Sequence, residues 1–234
     1  MVSPLMRKVV YPLRPYYLSL LGMERDIPLP KDFAQNLYAA YVDRSDVVAE
    51  VGAYTGGGTI LLAKLVEYVY SFEPIRQNYD ELRWNTSGYR NIKLFNVGLS
   101  DKNGYEELYK PEKKQYASSS KRVRGYDYPS KEKIRLKRLD DLKLDRKITS
   151  LIVDCEGGEL EVLKGARRTI PTLKSMLIET HTLANGESTF DSVLQELMQY
   201  RDVFEVKSSN FVHKNLITVL IVGRRASHPD ELPT

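Results

Sequence analysis

Short continuous apolar runs alternate along the chain with stretches of helical period. Val47 to Val51, Tyr68 to Phe72, Ile92 to Val97, Ser150 to Cys155 and Met176 to Glu179 are compact apolar runs, the pattern of strands buried on both faces. Thr59 to Glu67, Arg76 to Trp84, Leu160 to Ile170 and Phe190 to Tyr200 have the lengths and apolar spacing of helices. Lys31 to Tyr41 puts Phe33, Leu37, Tyr38 and Tyr41 on one face and predicts an amphipathic helix. Val203 to Lys207 and Ile217 to Val222 predict a terminal strand pair. Strands that alternate with helices predict an α/β fold, doubly wound, with a mostly parallel sheet and helices on both faces.

Two stretches break this rhythm. Residues 1 to about 30 carry five prolines and predict an irregular or short-helical arm. Asn103-Gly104 marks a turn, and from there to Lys133 the chain is polar, rich in lysine and tyrosine, with Ser118-Ser119-Ser120 in its middle. That is too long for an ordinary connection, so it is either functional or loosely ordered. Ile134 to Leu139 predicts an edge strand. The expected organisation is an N-terminal arm and helix over 1–45, a main domain over 46–225 with a polar insertion at 105–133, and a tail at 226–234.

A chain of 234 residues can bury a full core, and its net charge of +4 is mild. Basic residues crowd into Lys110 to Arg138 and Arg224-Arg225. They form either a solvated surface or a face for a phosphate-bearing substrate or partner. Cys155 is the only cysteine, which rules out an intrachain disulfide and suits a reducing cytoplasm, the expected location. No apolar stretch is long enough to span a bilayer. The start of the chain has Arg7 and Lys8 but lacks the unbroken apolar core of a signal peptide. The aromatic, basic segment Tyr11 to Leu18 docks on the domain, touches a membrane surface or lines a substrate mouth.

Candidate chemistry begins where the first strand ends. Glu50 is followed by a glycine loop, Gly52-Ala53-Tyr54-Thr55-Gly56, and Glu73 ends the second strand about twenty positions on. In open α/β sheets such a turn holds an adenosine-containing cofactor while the acid grips the ribose. A dinucleotide loop needs a second glycine where the backbone meets a pyrophosphate, and here that position is Tyr54. S-adenosylmethionine has no phosphate. Its carboxylate suits the backbone N–H groups of the turn, its amine suits Glu50, directly or through water, and its ribose suits Glu73. The alternatives are a turn that only tightens strand-to-helix packing, and a nicotinamide cofactor.

Six motifs in order resemble the FkbM family of S-adenosylmethionine-dependent methyltransferases. They are Glu50-Val51-Gly52-Ala53-Tyr54-Thr55-Gly56; Phe72-Glu73-Pro74 with Leu82 and Asn85; Gly98-Leu99-Ser100-Asp101 with Gly104; Arg138-Leu139-Asp140-Asp141-Leu142; Asp154-Cys155-Glu156-Gly157-Gly158-Glu159 continuing to Gly165-Ala166; and Ile178-Glu179-Thr180-His181. The fifth is the most specific. Glu50 replaces the family's commoner aspartate, and Tyr54 replaces a small or polar residue, which reshapes the methionine end of the pocket. The resemblance implies the class I, Rossmann-like methyltransferase sheet, with seven strands and the last antiparallel. It implies S-adenosyl-L-methionine as cofactor, bound by Glu50, Gly52, Ala53, Tyr54, Thr55, Gly56, Glu73, Pro74, Leu99, Ser100 and Asp154. It also implies a hydroxyl acceptor on a sugar, glycolipid or small metabolite.

Methyl transfer needs positioning, electrostatics and sometimes a base. Asp154, Glu156 and His181 are the catalytic candidates. A sulfonium favours carboxylates at the end of the central strand, and an unperturbed histidine suits a general base near neutral pH. The structural alternatives are a helix N-cap for Asp154, a first-turn acid for Glu156 and a satisfied histidine for His181. Glu179 orients His181 or faces the pocket. Asp101 accepts from the adenine amino group or starts the turn to Gly104. Acids flanking Cys155 raise its thiol pKa, so it reads as structural. Asp154, Glu156, Glu179 and His181 have the residue types for a divalent ion, but none is expected. The expected partner is a small-molecule or glycan acceptor. The other readings are an RNA or protein methyltransferase, a non-catalytic cofactor-binding module and a dehydrogenase. No Asn-Pro-Pro-Tyr-type motif is present to hold a planar base nitrogen.

Overall fold

The computed structural model describes residues 41–110, 123–124, 128–212 and 217–224. The N-terminal arm, the helix expected over 31–41 apart from Tyr41, the middle of the lysine-rich stretch and the tail lie outside the described residues. The chain runs β1 (Val47–Val51), α1 (Gly57–Leu65), β2 (Tyr68–Phe72), α2 (Arg76–Asn85), β3 (Ile92–Phe95), β4 (Gly98–Leu99), β5 (Gly104–Lys110) and β6 (Ser130–Lys137). It continues with β7 (Ser150–Val153), α3 (Glu159–Gly165), β8 (Ser175–His181), α4 (Thr189–Leu197), β9 (Phe204–Val212) and β10 (Ile217–Arg224).

The larger sheet has seven strands in the order β3-β2-β1-β7-β8-β10-β9. Pairing is parallel from β3 through β8, and β10 runs antiparallel to both β8 and β9. This is the doubly wound α/β sheet with an antiparallel last strand. Both faces are buried, which is why the strand sequences read as continuous apolar runs. Val47, Ala49, Val51, Leu151 and Val153 pack with Val162 and Leu163 of α3 and Val193 and Leu197 of α4. Val48, Val69 and Ile152 pack on the opposite face with Leu62 and Ala63 of α1.

Strand register decides where the chemistry lies. Val51 pairs with Phe72 on one side and Val153 on the other, and Val153 pairs with Ile178. The next residues, Glu73, Gly52, Asp154 and Glu179, therefore emerge in one row at the carboxyl ends of neighbouring strands. That is where open α/β sheets bind ligands.

Several element ends differ from the sequence pattern. β3 stops at Phe95, and the Asn96 side chain donates to the carbonyls of Glu73 (2.9 Å) and Pro74 (3.0 Å), pinning the β2–α2 turn. The helix expected over 160–170 ends at Gly165 and resumes as a 3₁₀ turn at Ile170–Thr172, where Pro171 has no N–H to continue a helix. A β-carbon at Gly165 would lie 2.0 Å from the Ser100 carbonyl, so α3 packs against β4 only because that position is glycine. The Asp140 carboxylate accepts from the Arg168 and Thr169 N–H groups and from the Thr169 hydroxyl. The Arg138 to Leu142 motif thus ties the chain that follows α3 to the approach to β7.

The largest departure is at the lysine-rich stretch. Its ends are strands, β5 and β6, joined antiparallel in a second sheet of order β4-β6-β5. The strand expected at an edge is the middle one of this sheet. Leu108, Ile134 and Leu136 turn inward and cluster with Ile75, while Tyr105 is 65% exposed on the other face. Lys131 lies 4.9 Å from the Tyr109 ring centre and Lys133 5.1 Å from that of Tyr105.

Candidate active site

The loop leaving β1 is held from within. Gly52 has φ 91°, and a β-carbon there would lie 1.7 Å from the Asp154 carbonyl oxygen. No other residue fits where β1 and β7 end side by side. The Gly52 and Ala53 N–H groups both donate to the Phe72 carbonyl, at 3.0 and 3.1 Å. Tyr54 adopts the left-handed conformation at φ 50° and donates its N–H to Glu73 Oε2 at 3.0 Å. Gly56, at φ 99°, starts α1 and donates to the Ala53 carbonyl, and Asn85 Nδ2 donates to the Thr55 carbonyl. The N–H groups of Gly52, Ala53, Tyr54 and Gly56 therefore satisfy the loop itself, and the cradle expected for a ligand carboxylate is not built from them.

Glu50 also departs from its expected role. It is buried, and its Oε2 accepts from the hydroxyls of Thr59 (2.5 Å) and Ser71 (2.8 Å). Strand alternation turns it away from the cavity and under α1. Burial pushes its carboxyl up to about 7, against those two hydroxyl donors.

A cavity of about 290 Å³ opens at the strand ends. Gly52, Glu73, Pro74, Leu99, Ser100 and Asp154 line it, as does Asp101, whereas Glu50, Ala53, Tyr54, Thr55 and Gly56 do not. Its apolar wall comes from Ile75, Leu99, Leu108, Ile134 and Leu136, so the β5–β6 hairpin closes one side. Glu73 is buried at the wall. Its Oε1 accepts from the Ile75 N–H (2.9 Å) and Asn78 Nδ2 (3.2 Å), while Oε2 accepts from Tyr54. Burial pushes Glu73 up to about 7 despite these donors.

Beyond Asp154 lies a cluster of acids around one imidazole. His181, 1% exposed, places Nδ1 2.9 Å from Glu159 Oε1. Its Nε2 faces Glu156 Oε2 at 3.5 Å, Glu179 Oε1 at 3.6 Å and Asp154 Oδ1 at 3.9 Å. Glu159 Oε1 also accepts the Gly157 N–H at 2.7 Å, which fixes a turn where Glu156 (φ 53°) and Gly157 (φ 100°) are both left-handed. A non-glycine residue in that conformation stores strain of the kind found at functional sites. The α3 N-cap is Gly158, so Asp154 is not a cap and Glu156 is not a first-turn acid.

Burial alone would lower the pKa of His181, but Glu156, Glu159 and Asp154 carry it well above the ordinary histidine value. Those carboxylates favour the protonated imidazole over the neutral base its type implies. Burial likewise opposes ionisation of Glu159, yet the His181 hydrogen bond and charge and the Gly157 and Thr189 donors bring its pKa below the usual value. The Cys155 thiol is pushed well up by burial and then by Glu159, Asp154 and Glu161, which leaves it unreactive.

The structure brings Asp154, Glu156, Glu179 and His181 together. The group that orients His181 is Glu159, the third acid of the Asp-x-Glu-Gly-x-Glu motif, to which no role had been given. Its spacing beside a turn glycine was the available signal. The cavity-lining Leu108, Ile134 and Leu136 were also missed, and their period-two alternation was the only clue to them.

The sequence model of the methyltransferase FkbM domain matches residues 46–204. No curated protein matches the chain in sequence. Among solved structures, an rRNA methylase from Streptococcus thermophilus shares the fold with TM-score 0.54 and 15% identity, over 86% of this chain and 99% of that one. A Streptococcus mutans protein described as a methyltransferase, in complex with S-adenosylhomocysteine, gives 0.52 and 11%, over 86% and 100%. M. capricolum TrmK with the same product gives 0.51 and 13%, over 86% and 71%. With the family match spanning most of the chain and four of the six motifs meeting in one row of strand ends, the protein belongs to the FkbM methyltransferase family.

Proposed function

We propose that the chain transfers a methyl group from S-adenosylmethionine to a hydroxyl of a sugar, glycolipid or other small metabolite. One observation carries this reading: Asp154 belongs both to the cavity wall and to the acid cluster around His181. This supports a methyl donor and an acceptor-activating group that lie side by side.

The residues fit the cofactor. Glu73 offers a carboxylate at the wall for vicinal ribose hydroxyls. The apolar wall of Ile75, Leu99, Leu108, Ile134 and Leu136 suits the faces of a purine. Asp154 and Glu156 suit a cationic neighbour. When bound, the cofactor supplies an electrophilic methyl on a sulfonium, and the sulfur keeps the electron pair of the broken bond. The protein's part is to position and polarise. Glu159 fixes the His181 ring and the Glu156 turn together, so the acids hold one arrangement. Asp154 and Glu156 favour loss of the acceptor's hydroxyl proton as its oxygen meets the methyl carbon.

A methyl-labelled donor incubated with the protein and separate glycolipid, small-metabolite, RNA and protein fractions tests the acceptor class. Label is expected in a glycolipid or small-metabolite fraction and should be stable to nuclease. Incorporation confined to the RNA fraction and lost on nuclease treatment would favour a nucleic-acid acceptor, for which the lysine-and-tyrosine face of the β5–β6 hairpin would be the contact surface.

A further inference from the structure

The side of His181 that faces Glu156 is built like a ligand set. Its Nδ1 is committed to the Glu159 carboxylate, which fixes the ring and leaves Nε2 as its only other polar atom. The ring is 1% exposed, with Nε2 turned toward three acids. Oxygens of Glu156, Glu179 and Asp154 surround it at 3.5, 3.6 and 3.9 Å. These distances exceed a good hydrogen bond and lie near or slightly beyond the edges of a coordination shell. Ligand atoms about 2.1 Å from one ion stand about 3.0 Å apart in octahedral and about 3.4 Å apart in tetrahedral array, so the acids close in slightly on an ion. Donor atoms of Asp154, Glu156 and His181 all lie within 4.8 Å of one another. A ligating histidine almost always gives its other ring N–H to a carboxylate, a carbonyl or water, which is the part Glu159 plays, and the ion takes the place of the Nε2 proton that the same acids favour.

We propose that Asp154, Glu156 and His181, with Glu179 beside them, bind a divalent first-row metal ion beside the cavity, behind the wall that Asp154 forms. One imidazole nitrogen among carboxylate oxygens is a donor set for Mn²⁺ or a neighbour in the series, and the single histidine disfavours copper. Asp154 lines the cavity while Glu156, Glu179 and His181 do not, so the ion reaches the methyl acceptor from the Asp154 side. There it holds the acceptor oxygen and acidifies its hydroxyl. The O–H bond breaks and its proton leaves to water. The oxygen then forms the new bond to the methyl carbon, and the carbon–sulfur bond breaks with its pair staying on sulfur. This reverses the sequence-based expectation of a reaction without metal. It depends on the methyl-transfer reading only for the ion's purpose, because ion binding is measured without turnover.

The experiment is Mn²⁺ titration of the chelator-treated 234-residue chain, followed by the loss of the free-ion paramagnetic resonance signal. Calorimetric binding of S-adenosylhomocysteine is measured on the same samples. Wild type should take up about one ion per chain. Glu156→Gln and His181→Gln should each weaken uptake at least tenfold, and Glu159→Gln should weaken it about 10- to 100-fold through the ring it orients. A urea-unfolding midpoint of Glu156→Gln close to that of wild type shows that the variant is folded. Wild type that takes up no Mn²⁺ while still binding S-adenosylhomocysteine would overturn the metal site and leave the methyltransferase reading intact. Uptake unchanged in folded Glu156→Gln would overturn it equally. Loss of S-adenosylhomocysteine binding by wild type would instead count against the cofactor assignment.

Discussion

At the scale of single residues, the same loop serves packing and chemistry. Gly52 looks like a cofactor glycine in sequence, yet its first duty is to let the Asp154 carbonyl pass where a β-carbon would sit. Gly52→Ala is therefore expected to cost about 3 kcal/mol or more in urea unfolding, through both the clash and the strained φ. Glu50 and Glu73 look alike in sequence and differ in use. Both carboxyls are pushed up to about 7 by burial. For Glu50 the folded pKa exceeds the unfolded one, so the folded state holds the proton longer. Its contribution is full below the unfolded value of about 4.5 and is lost as pH rises through about 7. Glu50→Gln should flatten this decline, and urea midpoints at acid and alkaline pH would show the wild-type slope and its absence in the variant. Glu73 must ionise to accept well from ribose hydroxyls. Calorimetry should find S-adenosylhomocysteine binding up to about tenfold tighter in wild type as pH rises from about 6 to about 8, and Glu73→Gln should lose that slope. Glu73→Ala should weaken binding about 10- to 100-fold. A Glu73→Gln variant that kept the slope would remove the ribose assignment.

At the scale of elements, the parallel strands were legible because both faces are buried, so β1, β2 and β7 are continuous apolar runs with little ambiguity. The β5–β6 hairpin was not legible. Each of its strands has one face toward Ile75 and the cavity and one face of lysine, tyrosine and glutamate toward solvent. Averaged along the chain this reads as a polar insertion, and the register of Glu106 opposite Ile134 is decided by a partner far away in sequence. The hairpin's inner face is nonetheless part of the pocket. Ile134→Ala should cost about 2–4 kcal/mol in chemical denaturation, the range for truncating a buried isoleucine. It should also weaken S-adenosylhomocysteine binding several-fold by opening the apolar wall. Unchanged affinity in a folded variant would mean that the hairpin is only a lid on the core.

At the scale of the whole molecule, sheet order sets β2, β1, β7 and β8 side by side and aligns Glu73, Gly52, Asp154 and Glu179 at their ends. If that row forms the cofactor site, S-adenosylhomocysteine at about a hundred times its dissociation constant adds about 2.7 kcal/mol to stability. For a domain of this size the thermal midpoint should rise by roughly 5–10 °C. Glu73→Ala should lose most of that shift at the same concentration, and a wild-type midpoint that does not move would exclude the site. The amino-acid sequence alone determined the α/β class, the strand-helix rhythm, the family and the identity of Glu73, Asp154, Glu156 and His181 as candidates, because burial period and motif spacing are local properties of a chain. Only the tertiary structure decided that Glu50 bonds to hydroxyls under α1, that Glu159 and not Glu179 holds the imidazole, and that a hairpin closes the cavity. Those outcomes depend on which face a side chain takes and which distant strand lies beside it, and packing sets both.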